Sequence, residues 1–295
     1  MKENVRAYET FQDLISDKEL DVVDICTPSN LHTAYSNESM QAGKNVLVEK
    51  PMALSLADAD TMIETSQKFG VTLMVAHVLR FFPDYAKAMK LSEDGRVGTL
   101  LISRAYRGAS FPNTDSWLAD YSRSGGVLYD LAIHDIDFLL ACHKNPVRRV
   151  FAKICKLVHT DITAHDFTLI NLEFEDGGLA EIIGSFALPK LSPFSTALDL
   201  LGTSGTIQLT NQNSPSLKLT TNDLVEEYTP ETKSSGVVQH SMPLDPFVKE
   251  IDHFVDCVLS NKAPVTDGAI SRKSLEVCEA ALRSSKENAP VRVTH

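Results

Sequence analysis

The first seventy-six residues alternate short β-branched runs with helical periodicities, and this alternation constrains the fold more than any other feature of the chain. Asp21-Val-Val-Asp-Ile-Cys26 is short and largely apolar and is closed by Thr27-Pro28-Ser29-Asn30, which predicts a buried strand ending in a turn. Val46-Leu47-Val48, ended by Glu49-Lys50-Pro51, is a second such run, and 71–75 a third. Helical spacing fills the gaps. Thr10 can cap a helix bearing Phe11, Leu14 and Ile15 on one face. His32 to about Ala42 precede a stop at Gly43, and Ser55 opens a helix over 56–69 stopped by Gly70. Strands that alternate with crossover helices run parallel, so the expectation is a doubly wound sheet.

Beyond about residue 80 the pattern changes. Residues 100–106 read as a strand, 107–126 as a loop rich in Ser, Gly, Pro and Asp, and 127–142 as a helix. Strand signals then dominate over 147–158, 165–175, 178–186, 196–201, 205–210, 216–220 and 224–228, with Gly177-Gly178 as a hairpin turn. Residues 229–243 are polar, carry two prolines and read as a mobile loop; 244–260 and 269–286 return to helix. The expected fold class is α/β followed by α+β, the second part built on a large, mainly antiparallel sheet. The expected domains are 1–80 and 81–295, with the last helices able to pack back on the first domain. A sheet of that size with one free face favours a homo-dimer or tetramer.

Composition excludes several partners. Lys plus Arg number 28 against 39 Asp plus Glu, a net charge of −11 with no basic block, which argues against nucleic acid and anionic membrane. The five cysteines are odd in number and form no CxxC pair, which fits a reducing cytoplasm better than a disulfide framework or cysteine zinc site. The start has no apolar signal region, and no apolar run reaches the ~18 residues that span a bilayer. The expectation is a cytoplasmic protein.

Ligands of open α/β sheets bind at the carboxyl ends of the strands. That rim carries 27–30, 49–51 and the surroundings of His77. Lys50 stands after a buried strand and before a proline; it either aims its ammonium at a ligand oxygen or is an ordinary solvated loop lysine. Further on, Gly125-Gly126-Val127-Leu128-Tyr129-Asp130-Leu131-Ala132-Ile133-His134-Asp135-Ile136-Asp137 reads as a glycine-permitted entry into a helix. Asp130 and His134 are spaced i,i+4 and share a face there, where a carboxylate can orient an imidazole for acid–base work or form a structural pair. His134, Asp135 and Asp137 are conceivable metal ligands, but no second histidine lies at i+3 or i+4, so no metal is expected. Arg80 either binds a ligand or ties the domains together. Trp117 either walls a site or packs. No GxSxG, HExxH, P-loop or kinase signature supports another chemistry.

Taken in order, Ile25–His32, Gly43–Pro51, Gly125-Gly126 to Asp137 and Gly202-Thr203-Ser204-Gly205 resemble the glucose–fructose oxidoreductase / inositol dehydrogenase / MocA (Gfo/Idh/MocA) family over nearly the whole chain. The resemblance implies a Rossmann-like first domain and NAD- or NADP-dependent oxidation of a secondary alcohol on a sugar, polyol or related compound, or the reverse reduction. It implies that Lys50 bridges nicotinamide ribose and substrate, that Asp130 binds substrate and orients His134, and that His134 takes the hydroxyl proton. Thr27, Pro28, Asn30, His32 and Glu49 match positions that approach the dinucleotide. It also implies association through the large sheet.

One departure stands out. The first glycine is Gly43, so the family's opening GxGxxG turn, which brings a pyrophosphate to a helix N-terminus, is missing. The expectation is a Rossmann-like domain truncated by roughly 50–60 residues, about one βαβ unit. Two alternatives stand beside the dehydrogenase: a binding or regulatory protein without redox activity, which the missing turn motivates, and a cofactor-retaining hydrolysis or elimination, against which it weighs.

Overall fold

The computed structural model describes residues 5–229 and 245–293. Residues 230–243 of the expected loop, with His240, lie outside the described residues, as does His295. Three strands, β1 (Val22–Ile25), β2 (Asn45–Glu49) and β3 (Leu73–Ala76), pair in parallel in that order. Their alternation decides the packing. Val23, Ile25, Val46, Val48, Leu73 and Val75 join the main core with Met40 of α2 (His32–Gln41), Met62 of α3 (Leu56–Phe69) and Leu275 of α8 (Gly268–Glu287). Leu47, Met74 and Ala76 meet Phe254 of α7 (Asp245–Ser260) on the opposite face.

Local chemistry sets the ends. Thr10 caps α1 (Phe11–Ser16) by accepting from Asp13 N at 3.1 Å. Ser55 does the same for α3 through Asp58 N at 3.1 Å, and Gly70, at φ 64°, ends that helix. Each such cap stabilises its helix by about 1 kcal/mol. The edge of β3 is covered by chain from far downstream: Val75 N donates to Thr266 O at 2.9 Å and Thr266 Oγ1 to Val75 O at 2.7 Å.

Two features depart from the sequence reading. Helix α4 (Pro83–Glu93) is not anticipated there; Pro83 opens it and Tyr85, Ala88 and Leu91 form its buried stripe. Tyr85 meets Phe138 edge to face at 5.1 Å. The loop 107–126 is also partly structured: a 3₁₀ turn spans Trp117–Ala119, with Trp117 half-buried, and one helical turn, α5, spans Tyr121–Ser124.

The second sheet holds nine strands: β4 (Leu100–Gly108), β5 (Val147–Cys155), β6 (Phe167–Phe174), β7 (Leu179–Ser185), β8 (Ser195–Gly202), β9 (Gly205–Thr210), β10 (Leu217–Thr221), β11 (Val225–Tyr228) and β12 (Val291–Arg292). Their order is β11-β10-β9-β8-β4-β7-β6-β5-β12, antiparallel except for β4 beside β7. Ala105, Ile170, Ile182 and Leu198 line one face and join the core that includes Ile133 and Ile136 of α6 (Ile133–His143). The other face carries the exposed Ile102, Leu179 and Leu201 and the Arg104–Glu181 ion pair. No described helix is long and apolar enough to cross a membrane.

Candidate active site

The carboxyl ends of β1 and β2 carry 27–30 and 49–51 on one rim, as parallel pairing in register requires. Thr27 and Pro28 are half-buried and Asn30 is exposed. His32 differs from the expectation that it faces a dinucleotide. It is 1% exposed, with Nδ1 2.8 Å from Pro51 O and Nε2 2.9 Å from Thr27 O. Both ring nitrogens face backbone carbonyls; burial keeps the ring neutral, so it donates to one of the two, and His32 sits between the turn after β1 and the turn after β2.

Lys50 reaches across to the other half of the molecule. Its Nζ donates to Asp130 O at 2.7 Å and to Asp130 Oδ1 at 2.8 Å. The side chains are 14% and 23% exposed, so the pair is shielded yet reachable. Glu49 Oε2 accepts from Lys50 N at 3.2 Å. Burial pushes the Glu49 carboxyl up, with Lys50 opposing. Behind it lies Glu250 of α7, 3% exposed, whose carboxyl is pushed up to about 8 by burial and then by Glu49 and Asp24.

The glycine pair sets the approach to Asp130. Gly125 and Gly126 take φ 72° and 68°, and a Cβ on Gly126 would lie 2.9 Å from His165 N. Asp130 sits in a single π-helical turn, Leu128–Ala132, before α6 begins. This corrects the expected Asp130–His134 pair. A π turn is wider than an α turn, so the i,i+4 stacking assumed for a regular helix is not kept. Asp130 bonds Lys50, and no hydrogen bond joins it to His134.

The other two carboxylates of the segment are also engaged. Asp135 holds Arg107 at 2.9 and 3.0 Å, both fully buried. Asp137 holds Arg80 at 2.6 and 2.8 Å. One short segment thus anchors cations from the ends of β2 and β4 and from the turn after β3. Arg80 ties the two halves together, one of its two sequence readings. Arg107 was not singled out from sequence; a charged residue one place before the last residue of a strand is a weak signal by itself. Among the described residues no group of three or more His, Cys, Asp and Glu is placed to hold a metal ion.

His134 stands among these cations without an anionic partner. Its Nδ1 is enclosed and makes no hydrogen bond. Burial, then Lys50, Arg107 and His77, hold its imidazole well below the ordinary range, so the ring is neutral near pH 7. A neutral imidazole near an ammonium at a strand-end rim can accept a proton while the cation steadies the oxygen left behind.

The chain is similar to known proteins along its length. Residues 1–77 match the profile described as an oxidoreductase family with NAD-binding Rossmann fold, and residues 85–208 that of the GFO/IDH/MocA C-terminal domain. A myo-inositol 2-dehydrogenase of Thermotoga maritima is 28% identical over 300 residues, covering 99% of this chain and 86% of the relative. A scyllo-inositol 2-dehydrogenase (NAD(+)) of Bacillus subtilis is 26% identical over 295 residues, covering 95% and 80%. A levoglucosan dehydrogenase solved with NADH and L-sorbose shares the fold, with a TM-score of 0.86 at 20% identity over 97% of this chain and 83% of that one.

Proposed function

The chain belongs to the Gfo/Idh/MocA oxidoreductase family, and on that premise we propose that it is an NAD(P)-dependent oxidoreductase acting on a secondary alcohol of a sugar, polyol or related small molecule. The observation that carries the reading is the Lys50–Asp130 contact, made across the chain beside an unpartnered, neutral His134.

In this reading His134 takes the hydroxyl proton on Nε2, the nitrogen left when Nδ1 is enclosed. Lys50 steadies the developing alkoxide, and Asp130 keeps the ammonium aimed. Thr27, Pro28, Asn30, Glu49 and Lys50 would hold the nicotinamide end of the cofactor, with His32 fixing the turn that carries Thr27. The shielded ammonium and the unpartnered imidazole fit that end of the group. When bound, NAD or NADP supplies the hydride acceptor, or the donor in the reverse direction.

The alternative weighed from the sequence is a sugar-binding or regulatory protein without turnover. We assign residues 1–80 to cofactor binding and 81–295 to substrate binding and association. The exposed Ile102, Leu179 and Leu201 support a dimer or tetramer formed through the open sheet face. Five free cysteines support a cytoplasmic location. The experiment is a turnover screen of inositols and aldoses with both cofactors, run beside His134→Asn. Turnover that falls by about 10²–10⁴ in the variant supports His134 as base. Turnover untouched by the change refutes it, and a chain that binds polyol without turnover meets the second reading.

A further inference from the structure

Two cations from the first sheet reach the segment that carries His134, one on each side of it in the chain. Lys50, after β2, takes Asp130, and Arg80, after β3, takes Asp137. Each approaches a main-chain carbonyl as well as a carboxylate: Lys50 Nζ lies 2.7 Å from Asp130 O, and Arg80 Nη2 lies 3.5 Å from Asp137 O. The Arg80 grip is a fork, with Nε donating to Oδ2 at 2.6 Å and Nη2 to Oδ1 at 2.8 Å. The two side chains are 11% and 2% exposed. A shielded two-point pair of this kind fixes orientation as well as distance. Both of its ends stand on ordered backbone. Arg80 lies in the 3₁₀ turn Val78–Phe81, where Arg80 N donates to His77 O at 3.0 Å, and this turn follows the wholly buried β3. Asp137 lies in α6, past the π turn, and His77 Nδ1 is 3.8 Å from the same carboxylate.

We propose that Arg80 is a positioning residue for the reaction: through Asp137 it sets where α6, and with it His134, stands relative to the strand-end rim of the first sheet. This rests on the dehydrogenase reading. In that reading the reacting carbon faces the rim after β1 and β2 while its oxygen faces His134. The two groups that must meet one carbinol are therefore carried by different halves of the chain. An error of about 1 Å between them can cost ~10²-fold in rate. The Arg107–Asp135 pair joins α6 to β4, in its own half, and does not set this separation. Lys50 does cross between the halves, but its ammonium also has to meet the substrate oxygen. Arg80 spends its fork on Asp137 and so supplies the lasting link.

The test compares the full chain with Arg80→Lys, which keeps the charge and loses the fork. Asp137→Asn, which keeps an acceptor for the guanidinium, carries the same test if Arg80→Lys folds poorly. Three quantities are read: kcat and KM for myo-inositol, calorimetric affinity for the cofactor, and ¹⁵N-histidine ring signals of the ligand-free chain, with His134 identified by its loss in His134→Asn. The expected result is a kcat per folded molecule lower by about tenfold or more, with KM and cofactor affinity within about twofold of the parent. The His134 ring signal should move before any ligand is added. A lower melting temperature with kcat per folded molecule unchanged gives Arg80 a structural role only and overturns the assignment. An unmoved His134 signal overturns it too, as does a loss that falls on KM or cofactor affinity instead of kcat. These outcomes spare the dehydrogenase reading. A folded parent chain that turns over none of myo-inositol, scyllo-inositol and D-glucose with either cofactor sinks that reading, and this assignment with it.

Discussion

The Lys50 ammonium lies 2.8 Å from Asp130 Oδ1 and 2.7 Å from Asp130 O, and these residues are eighty positions apart in the chain. The contact joins the turn after a parallel strand to the turn that leads into α6. It fixes a cation at the rim where a ligand of an open α/β sheet binds. It also spends Asp130 on Lys50 rather than on His134, whose Nδ1 is enclosed without a hydrogen bond.

Replacing Lys50 by Met removes that cation while keeping much of the side-chain length. We expect turnover to fall by about 10²–10³, the usual loss when one donor to a developing oxyanion is removed. Asp130→Asn keeps the carbonyl contact and a side-chain acceptor, so its loss should be smaller. Steady-state kinetics on both variants checks the order, and a larger loss in Asp130→Asn contradicts it.

The buried Arg107–Asp135 pair should dominate local stability. Arg107→Met leaves Asp135 buried and unpaired, at a cost of about 3–5 kcal/mol. The double variant Arg107→Met/Asp135→Leu should recover much of that. Urea denaturation of the two variants measures the difference, and equal stabilities would show that the pair is not coupled.

Much of this was legible in the sequence, and the rest was hidden for identifiable reasons. Thr10 and Ser55 as caps, Gly70 as a stop, and the three parallel strands follow from local pattern, because capping and alternation are local physics. Lys50, Asp130 and His134 are singled out by the order of a family pattern, and the structure brings Lys50 to Asp130. The pairing among them is not legible: a 3.6-residue period is expected across a segment that makes one π turn, and Asp130 there bonds Lys50. The place of His32 between two turns is not legible, because the groups its ring nitrogens face are backbone carbonyls, which no side-chain pattern reports. Helix α4 was missed although Pro83, Tyr85, Ala88 and Leu91 carried its signal. Arg107 and His77 acquire meaning only when Asp135 and Asp137 arrive from a distant segment.

Glu250 gives a pH signature of opposite sign to an ordinary carboxylate. Its folded pKa of about 8 lies above the usual 4.5. Between those values the folded chain keeps a proton that the unfolded chain has lost, so stability falls as pH rises through this window. Glu250→Gln should therefore raise the melting temperature more at pH 8.5 than at pH 5, in thermal scans at both pH values. An equal gain at both would mean that Glu250 is ionised in the fold.

Gly126 is constrained twice, by φ 68° and by the approach of His165 N to 2.9 Å of a would-be Cβ. Gly126→Ala should cost about 1–3 kcal/mol, seen as a lower melting temperature. Gly43, at φ 78° with open space around it, should lose less on the same change, because only the backbone term applies.

The most direct test of the central claim is calorimetric titration of the folded chain with NAD+, NADH, NADP+ and NADPH, beside Lys50→Met. The account predicts saturable binding of at least one of them, tighter than about 100 μM or near −5.5 kcal/mol, and weaker in the variant. A folded chain that binds none of the four would contradict the claim that this rim is a working nicotinamide site.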